Sequence, residues 1–318
     1  MQQEKLVIQS APHIHSSMTT QKIMFYVISA LVPAAAAGVF YFGLRALMHL
    51  LISILLAVLT EAVVQKLMHQ PITIRDGSAI LTGLLIGMNL PVAAPLWIGG
   101  VGSVFAIALV KQAFGGLGHN FMNPALAARA MMLASWPSFM TNWTTPFDGL
   151  ATATPLAILK AGIPNTTALP TYWDMFIGNI GGCIGETSAL ALLLGGVFLI
   201  YKEVIDYRIP LAYIGTVYIF GSIFGADGLN SGLFYLLAGG MMLGSIFMAT
   251  DYVSSPATAR GRWIYGIGCG LITMLIRLWG SYPEGVSFSI LLMNIAAPLI
   301  ERFTIPKKFG EVSKKNAK

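Results

Sequence analysis

Residues 148–156 read DGLATATPL, and they carry two threonine hydroxyls, Thr152 and Thr154, between Pro146 and Pro155. Proline on both sides favours an extended or turning segment over a helix. On these residues alone the reading is an unmodified, hydroxyl-rich turn; any covalent group on a threonine there would need an accessible hydroxyl and so an exposed loop. A second feature is Asn123-Pro124-Ala125, where Asn is a good N-cap and Pro a good first helical residue. The free N–H groups of such a helix start suit a phosphate or an electron-rich ring edge; a plain structural cap is the alternative. Arg129 lies on the same helix. Glu186 falls inside an apolar run, where an ionisable residue marks function by default, unless it only caps a short helix at Thr187 and Ser188. Asp251 follows another apolar run and is expected to cap the turn at Ser254-Ser255, and Asp76 is expected to pair with Arg75. Cys183 and Cys269 are far apart in apolar runs, and His13 and His15 have no further ligands nearby, so no metal site is expected.

The elements that must position these groups are hydrophobic. The chain of 318 residues is 56% hydrophobic and 10% charged, with mean hydropathy +0.73. Soluble domains are nearer a quarter charged. The reading is an all-α polytopic membrane protein. Net charge is +6, but the basic residues sit between apolar runs and in the tail, which argues against nucleic acid. The chain divides into a polar N-terminal arm (1–22), a first membrane half (23–135), a loop carrying the threonines (136–178), a second membrane half (179–300) and a basic tail (301–318). About ten transmembrane segments fit: 23–44, 46–64, 78–89, 96–110, 123–135, 180–200, 207–225, 231–250, 263–278 and 286–300. With both termini in the cytoplasm, all Lys and Arg except Arg45, Lys160 and Arg277 fall on the cytoplasmic side. The Thr154 loop is then outside. LTGLLIGMNLP (81–91) is similar to LAGGMMLGSIF (237–247), each expected to precede a break, and KQAFGG (111–116) is similar to IRLWGS (276–281). The offsets approach half the chain. Two inverted five-helix repeats with broken helices follow, a transporter-like architecture.

With the loop and membrane plan in place, the sequence resembles a known family. DGLATATPL looks like the flavin-attachment segment of the D-type subunit of the Rnf ion-pumping electron-transport complex and, more distantly, of the B-type subunit of the sodium-pumping NADH:quinone reductase. RDGSAILTGLLIGMNLP, KQAFGGLGHNFMNPAL, ATDYVSSPATARGR, GSYPEGVSFSILLMNIAAPLI and SAPHIH also resemble segments of the Rnf D-type subunit, in order, over nearly the whole chain. The resemblance implies FMN joined covalently, through its phosphate, to Thr154 by a flavin transferase. The matching residues are Asp148, Gly149, Ala153 and Thr154; Ala151 departs from the serine common there. Thr152 is the competing acceptor. Asn123 and Arg129 are candidates for contact with the ring, and Glu186 and Asp251 for an ion path. The wider family is also associated with non-covalent riboflavin, for which no residue is assigned.

The function so implied is a membrane component that relays electrons between ferredoxin and NAD, coupled to Na⁺ or H⁺ transfer, in a bacterial or archaeal cytoplasmic (inner) membrane. Its partners would be the lipid bilayer and iron–sulfur, NAD-binding and membrane subunits of the complex. Alone it should have no complete activity, since it has neither a nucleotide-binding fingerprint nor a cysteine cluster. The rival readings are a flavin-free solute channel or transporter, supported by the repeat and the single Asn-Pro-Ala, and an unmodified scaffold.

Overall fold

The computed structural model describes residues 18–161, 169–225 and 228–306. His13, His15, most of the N-terminal arm and residues 307–318 of the tail lie outside these.

Helix α1 (Thr20–Phe42) is opened by Thr19, whose hydroxyl accepts from Lys22 N, and closed by Gly43 at φ +71°. That glycine lets α2 (Leu44–Leu67) start at once in a new direction. α3 (Ser78–Met88) is short. Its entry is fixed by Asp76, whose carboxylate accepts from Ser78 N at 2.8 Å and Ser78 Oγ at 2.6 Å. Asp76 therefore closes a turn, and the expected pairing with Arg75 is not what holds it. α4 (Leu96–Phe105) runs on as a widened π-helical turn, Ala106–Gln112. α5 (Pro124–Ser135) and the single turn α6 (Pro137–Met140) follow.

The loop between the halves is more structured than expected. Strands β1 (Trp143–Thr144) and β2 (Ala151–Thr152) form a small antiparallel hairpin, pairing Trp143 with Thr152 and Thr144 with Ala151. α7 (Pro155–Ala161) then begins on Pro155, and α8 (Tyr172–Ile177) is capped by Thr171.

In the second half α9 spans only Ala189–Tyr201, with Ser188 as its cap. The expected span 180–200 is thus corrected at its start, because residues 180–188 are turns. Ile184 N donates to Leu90 O and Gly185 N to Met88 O, so this stretch satisfies carbonyls left free where α3 ends. α10 (Arg208–Phe224) and α11 (Leu229–Leu237) follow. α12 (Met241–Leu243) continues as a π-helical turn, Gly244–Met248. The break lies at 238–240, inside the segment 237–247 rather than after it. α13 (Ala259–Trp279) and α14 (Val286–Thr304) complete the chain.

Each of the ten apolar segments thus contains a helix. Among the described residues α1, α2 and α14 are long and apolar enough to cross a bilayer alone; α11 with the helix after it makes a fourth across a 74° bend. The chain is a mostly helical, multi-pass membrane protein. Packing relies on small residues, as is usual between membrane helices. A Cβ added at Gly83 would stand 2.6 Å from Ile54 Cα, so α3 lies directly on the backbone of α2. The π turn after α4 brings two consecutive side chains to one carboxylate: Lys111 Nζ and Gln112 Nε2 reach Glu61 Oε1 at 2.6 and 2.7 Å, all three buried.

Candidate functional site

Asn123 caps α5 as its sequence predicts, accepting from Ala125 N and Leu126 N at 3.0 and 3.2 Å. Its other hydrogen bonds tie the two halves together. Asn123 N donates to Asn294 Oδ1 and Asn123 Nδ2 to Met248 O. This cap is structurally engaged. It borders a small cavity of about 90 Å³ that also meets Ser78, Lys111, Asn120 and Asp251. Asp251 accepts from Ser254 Oγ at 2.8 Å, and Ser255 N donates to Asp251 O, as expected for a turn cap.

Two turns along α5, Arg129 faces a different cavity. Arg129, expected on the cytoplasmic side with the other basic residues, is buried beside the cavity that the Thr152 segment borders. One guanidinium nitrogen donates to Asn89 Oδ1 at 2.6 Å and lies 3.8 Å from Glu186 Oε2. The other pairs directly with Glu284 Oε2. Glu186 does not sit within a helix; it lies in the turn before α9, where Oε1 accepts from Cys183 N at 2.9 Å. Cys183 Sγ donates in turn to Asn89 O. Arg277, from α13, donates to three backbone oxygens, those of Glu284, Tyr235 and Ala238. A buried ionic cluster therefore joins the end of α3, the middle of α5, the turn before α9 and the α13–α14 corner. The buried carboxylate of Glu186 and the partly buried one of Glu284 are tolerable here because two guanidiniums accompany them.

The cavity beside this cluster measures about 230 Å³. That exceeds the roughly 150 Å³ that holds a single benzene ring. Trp143, Tyr282 and Phe288 supply aromatic walls, Arg129 and Glu284 the charge, and Thr152, Ala153 and Ala157 the side nearest the hairpin. Such a site admits a flat aromatic group and offers positive charge to its electron-rich edge.

The structure places the predicted residues unevenly around it. Ala153 is exposed and borders the cavity. Thr154 is only 2% exposed, and its Oγ1 accepts from Ala157 N at 3.2 Å. The expectation of an accessible Thr154 hydroxyl is corrected on that point. Pro155 and Leu156 are buried too, so the chain turns inward at Thr154, whose hydroxyl caps α7. Asp148 and Gly149 are exposed at the hairpin tip, where Gly149 has φ +63°. Gly149 borders a third cavity, of about 470 Å³, with Arg45, Tyr41 and Phe147. Asp251 and Glu186 are not brought together: Asp251 borders the small cavity at Asn123, whereas Glu186 lies beside Arg129. Sequence reasoning missed Asn89, Arg277 and Glu284. An acidic residue in the turn Pro283-Glu284-Gly285 beside an apolar span was the available signal.

The model of the NQR2, RnfD, RnfE family matches residues 7–310. The chain is 55% identical, over the full length of both proteins, to the D subunit of the Na(+)-translocating ferredoxin:NAD(+) oxidoreductase complex of Acetobacterium woodii. It is 47% identical to the D subunit of the proton-translocating ferredoxin:NAD(+) oxidoreductase complex of Clostridium ljungdahlii, covering 95% of this chain and 96% of that one. It is 34% identical to the D subunit of the ion-translocating oxidoreductase complex of Escherichia fergusonii, covering 95% and 98%. The chain belongs to the NQR2, RnfD, RnfE family.

Proposed function

We propose that this chain is the D-type membrane subunit of an Rnf-type complex that couples electron transfer between ferredoxin and NAD to ion translocation. FMN linked through its phosphate to Thr154 would occupy the cavity beside Arg129. The observation that supports the cofactor most is that one cavity brings together the DGLATATPL segment, three aromatic side chains and a buried guanidinium. A flavin held there accepts and passes on electrons one or two at a time. The chain's own contribution is placement and charge. Arg129 offers a fixed cation, Trp143, Tyr282 and Phe288 offer apolar walls, and the tether removes the entropic cost of holding a loose cofactor.

Loading requires the first turn of α7 to open, because the Thr154 hydroxyl is buried and hydrogen-bonded. Thr152, half-buried on the cavity wall, is the competing acceptor. A flavin transferase and the iron–sulfur, NAD-binding and other membrane subunits of such a complex complete the set of partners. The relatives named above differ in the ion they carry, so membership of the family leaves Na⁺ and H⁺ both open.

Ten membrane segments in two inverted halves, both termini cytoplasmic and Thr154 outside, complete the proposal. Matching contacts support it: α2 packs on α3 and α4, α10 packs on α11 and α13, α1 meets α9, and α5 meets α14. A cysteine at Lys160, an exposed position, should react with an impermeant thiol reagent from outside intact cells; labelling from the cytoplasm alone would reverse the topology. For the cofactor, the chain separated from its partners under denaturing conditions should retain flavin fluorescence and one added FMN-phosphoryl mass. Absence of both, with an active transferase present, would favour the flavin-free channel.

A further inference from the structure

Glu186 is 5% exposed, and its two oxygens are treated differently. Oε1 accepts from Cys183 N. Oε2 is buried without any hydrogen-bond partner, 3.8 Å from the nearest guanidinium nitrogen of Arg129. Arg129 spends its short contacts elsewhere, on Asn89 and Glu284. Oε2 faces the chain break before α12, where a Cβ added at Gly240 would stand 2.8 Å from it. A carboxylate oxygen with no donor, out of water, is costly. Either a proton or a closer cation relieves that cost.

The charged groups around Glu186 are few. Arg129 faces it from α5, Glu284 from the α13–α14 corner, Arg277 from α13 and Cys183 from its own turn. With both carboxylates ionised the two arginines balance them. One added negative charge in the cavity, which Arg129 also borders, breaks that balance in a poorly screened interior. The charge draws Arg129 toward the cavity and leaves Glu186 uncompensated.

We propose that Glu186 is a proton-binding site coupled through Arg129 to the charge in the adjacent cavity. The proposal rests on the reading that the cavity holds a redox-active ring. As one electron enters the cavity from an iron–sulfur donor, one proton leaves water and forms an O–H bond at Glu186 Oε2. When the electron leaves, that bond breaks and the proton returns. Glu284 provides the approach from water, since its side chain keeps 20% exposure while its Oε1 is also unpartnered. Glu186 is here a positioning and charge-balancing residue; it need not touch the ring.

The test is reduced-minus-oxidised infrared difference spectroscopy of the whole complex, reduced with dithionite, with visible absorption followed in parallel. Wild type should gain, on reduction, a carbonyl band of a protonated carboxylic acid that shifts in D₂O and with ¹³C-labelled glutamate. Glu186→Gln should lose that band while its flavin still bleaches. Glu186→Asp, which keeps a carboxyl and most of the packing, should shift the band. Glu284→Gln should retain it. No such band in wild type, a band that survives in Glu186→Gln, or one lost only in Glu284→Gln would each overturn the assignment. Thr154→Val distinguishes the two levels. A bleaching component lost in that variant supports the flavin, so a missing carboxyl band would then count against Glu186 alone.

Discussion

Arg129 donates to Asn89 Oδ1 at 2.6 Å, a contact between residues forty apart that joins the middle of α5 to the broken end of α3. The same guanidinium pairs with Glu284 across the two halves of the chain. One side chain thus fixes the floor of the aromatic cavity and the join between the halves.

On the proposed reading, removing that positive charge should make a flavin in the cavity harder to reduce. At about 6 Å and an effective dielectric near 20, one charge is worth roughly 3 kcal/mol. For a one-electron couple this is on the order of 100 mV. Arg129→Gln should therefore lower the flavin midpoint potential by about that amount in a redox titration of the complex. An unchanged potential would place the ring away from Arg129.

Lys111→Met should strand the Glu61 carboxylate inside the membrane. Breaking a buried pair from one side typically costs about 3–5 kcal/mol, whereas replacing both partners is often neutral. Lys111→Met should melt well below wild type in detergent, and the double variant with Glu61→Leu should recover most of the loss. A double variant no better than the single one would show that Lys111 acts through Ser78, its other partner at 2.6 Å.

Two glycines give a matched comparison. Gly83 lies against the backbone of α2, while a Cβ at Gly215 would meet nothing within 4 Å. Gly83→Ala should cost about 1–3 kcal/mol by overpacking. Gly215→Ala should be neutral or stabilising by up to ~1 kcal/mol through helix propensity. Thermal melting of the two variants beside wild type checks the order, and equal behaviour would contradict the close α2–α3 approach.

Asp206 lies at the corner between α9 and α10. Burial alone would raise its carboxyl, but the Arg208 N–H and the guanidiniums of Arg262 and Arg208 outweigh it and hold it below the usual carboxylate range. A lowered folded value means the contribution to stability is present above the ordinary carboxylate pKa and is lost as pH falls through the lower, folded value. Asp206→Asn should therefore lower the melting temperature near neutral pH, and its deficit should shrink in acid. The effect is small, because these groups are partly exposed. A deficit that did not change with pH would mean packing, not charge, holds this corner.

Much of this architecture can be read from residue order, and the misses share a cause. Ten apolar runs announce ten helices because an apolar run satisfies its backbone polar groups most readily within a helix. Asn123-Pro124 announces the start of α5 because capping is local. Residues 180–188 read as membrane helix on composition, yet they serve as partners for carbonyls at Met88 and Leu90, nearly a hundred residues earlier. Nothing local reveals that. The burial of Thr154 is partly legible in the Pro155-Leu156 that follows, though the hydroxyl content of the segment points the other way. Glu284 and Asn89 escaped because their role depends on Arg129, which comes from another helix in each case. The π turns before Ala113 and Ala249 likewise arise from packing rather than from any composition cue.

The most direct test of the account compares wild type, Thr154→Val and Thr152→Val, each co-expressed with a flavin transferase. In-gel flavin fluorescence and intact mass are read on the denatured chain. The account predicts fluorescence and one added FMN-phosphoryl mass in wild type and Thr152→Val, with both absent in Thr154→Val. Fluorescence and mass that persist in Thr154→Val, or are missing from wild type with the transferase active, would contradict it.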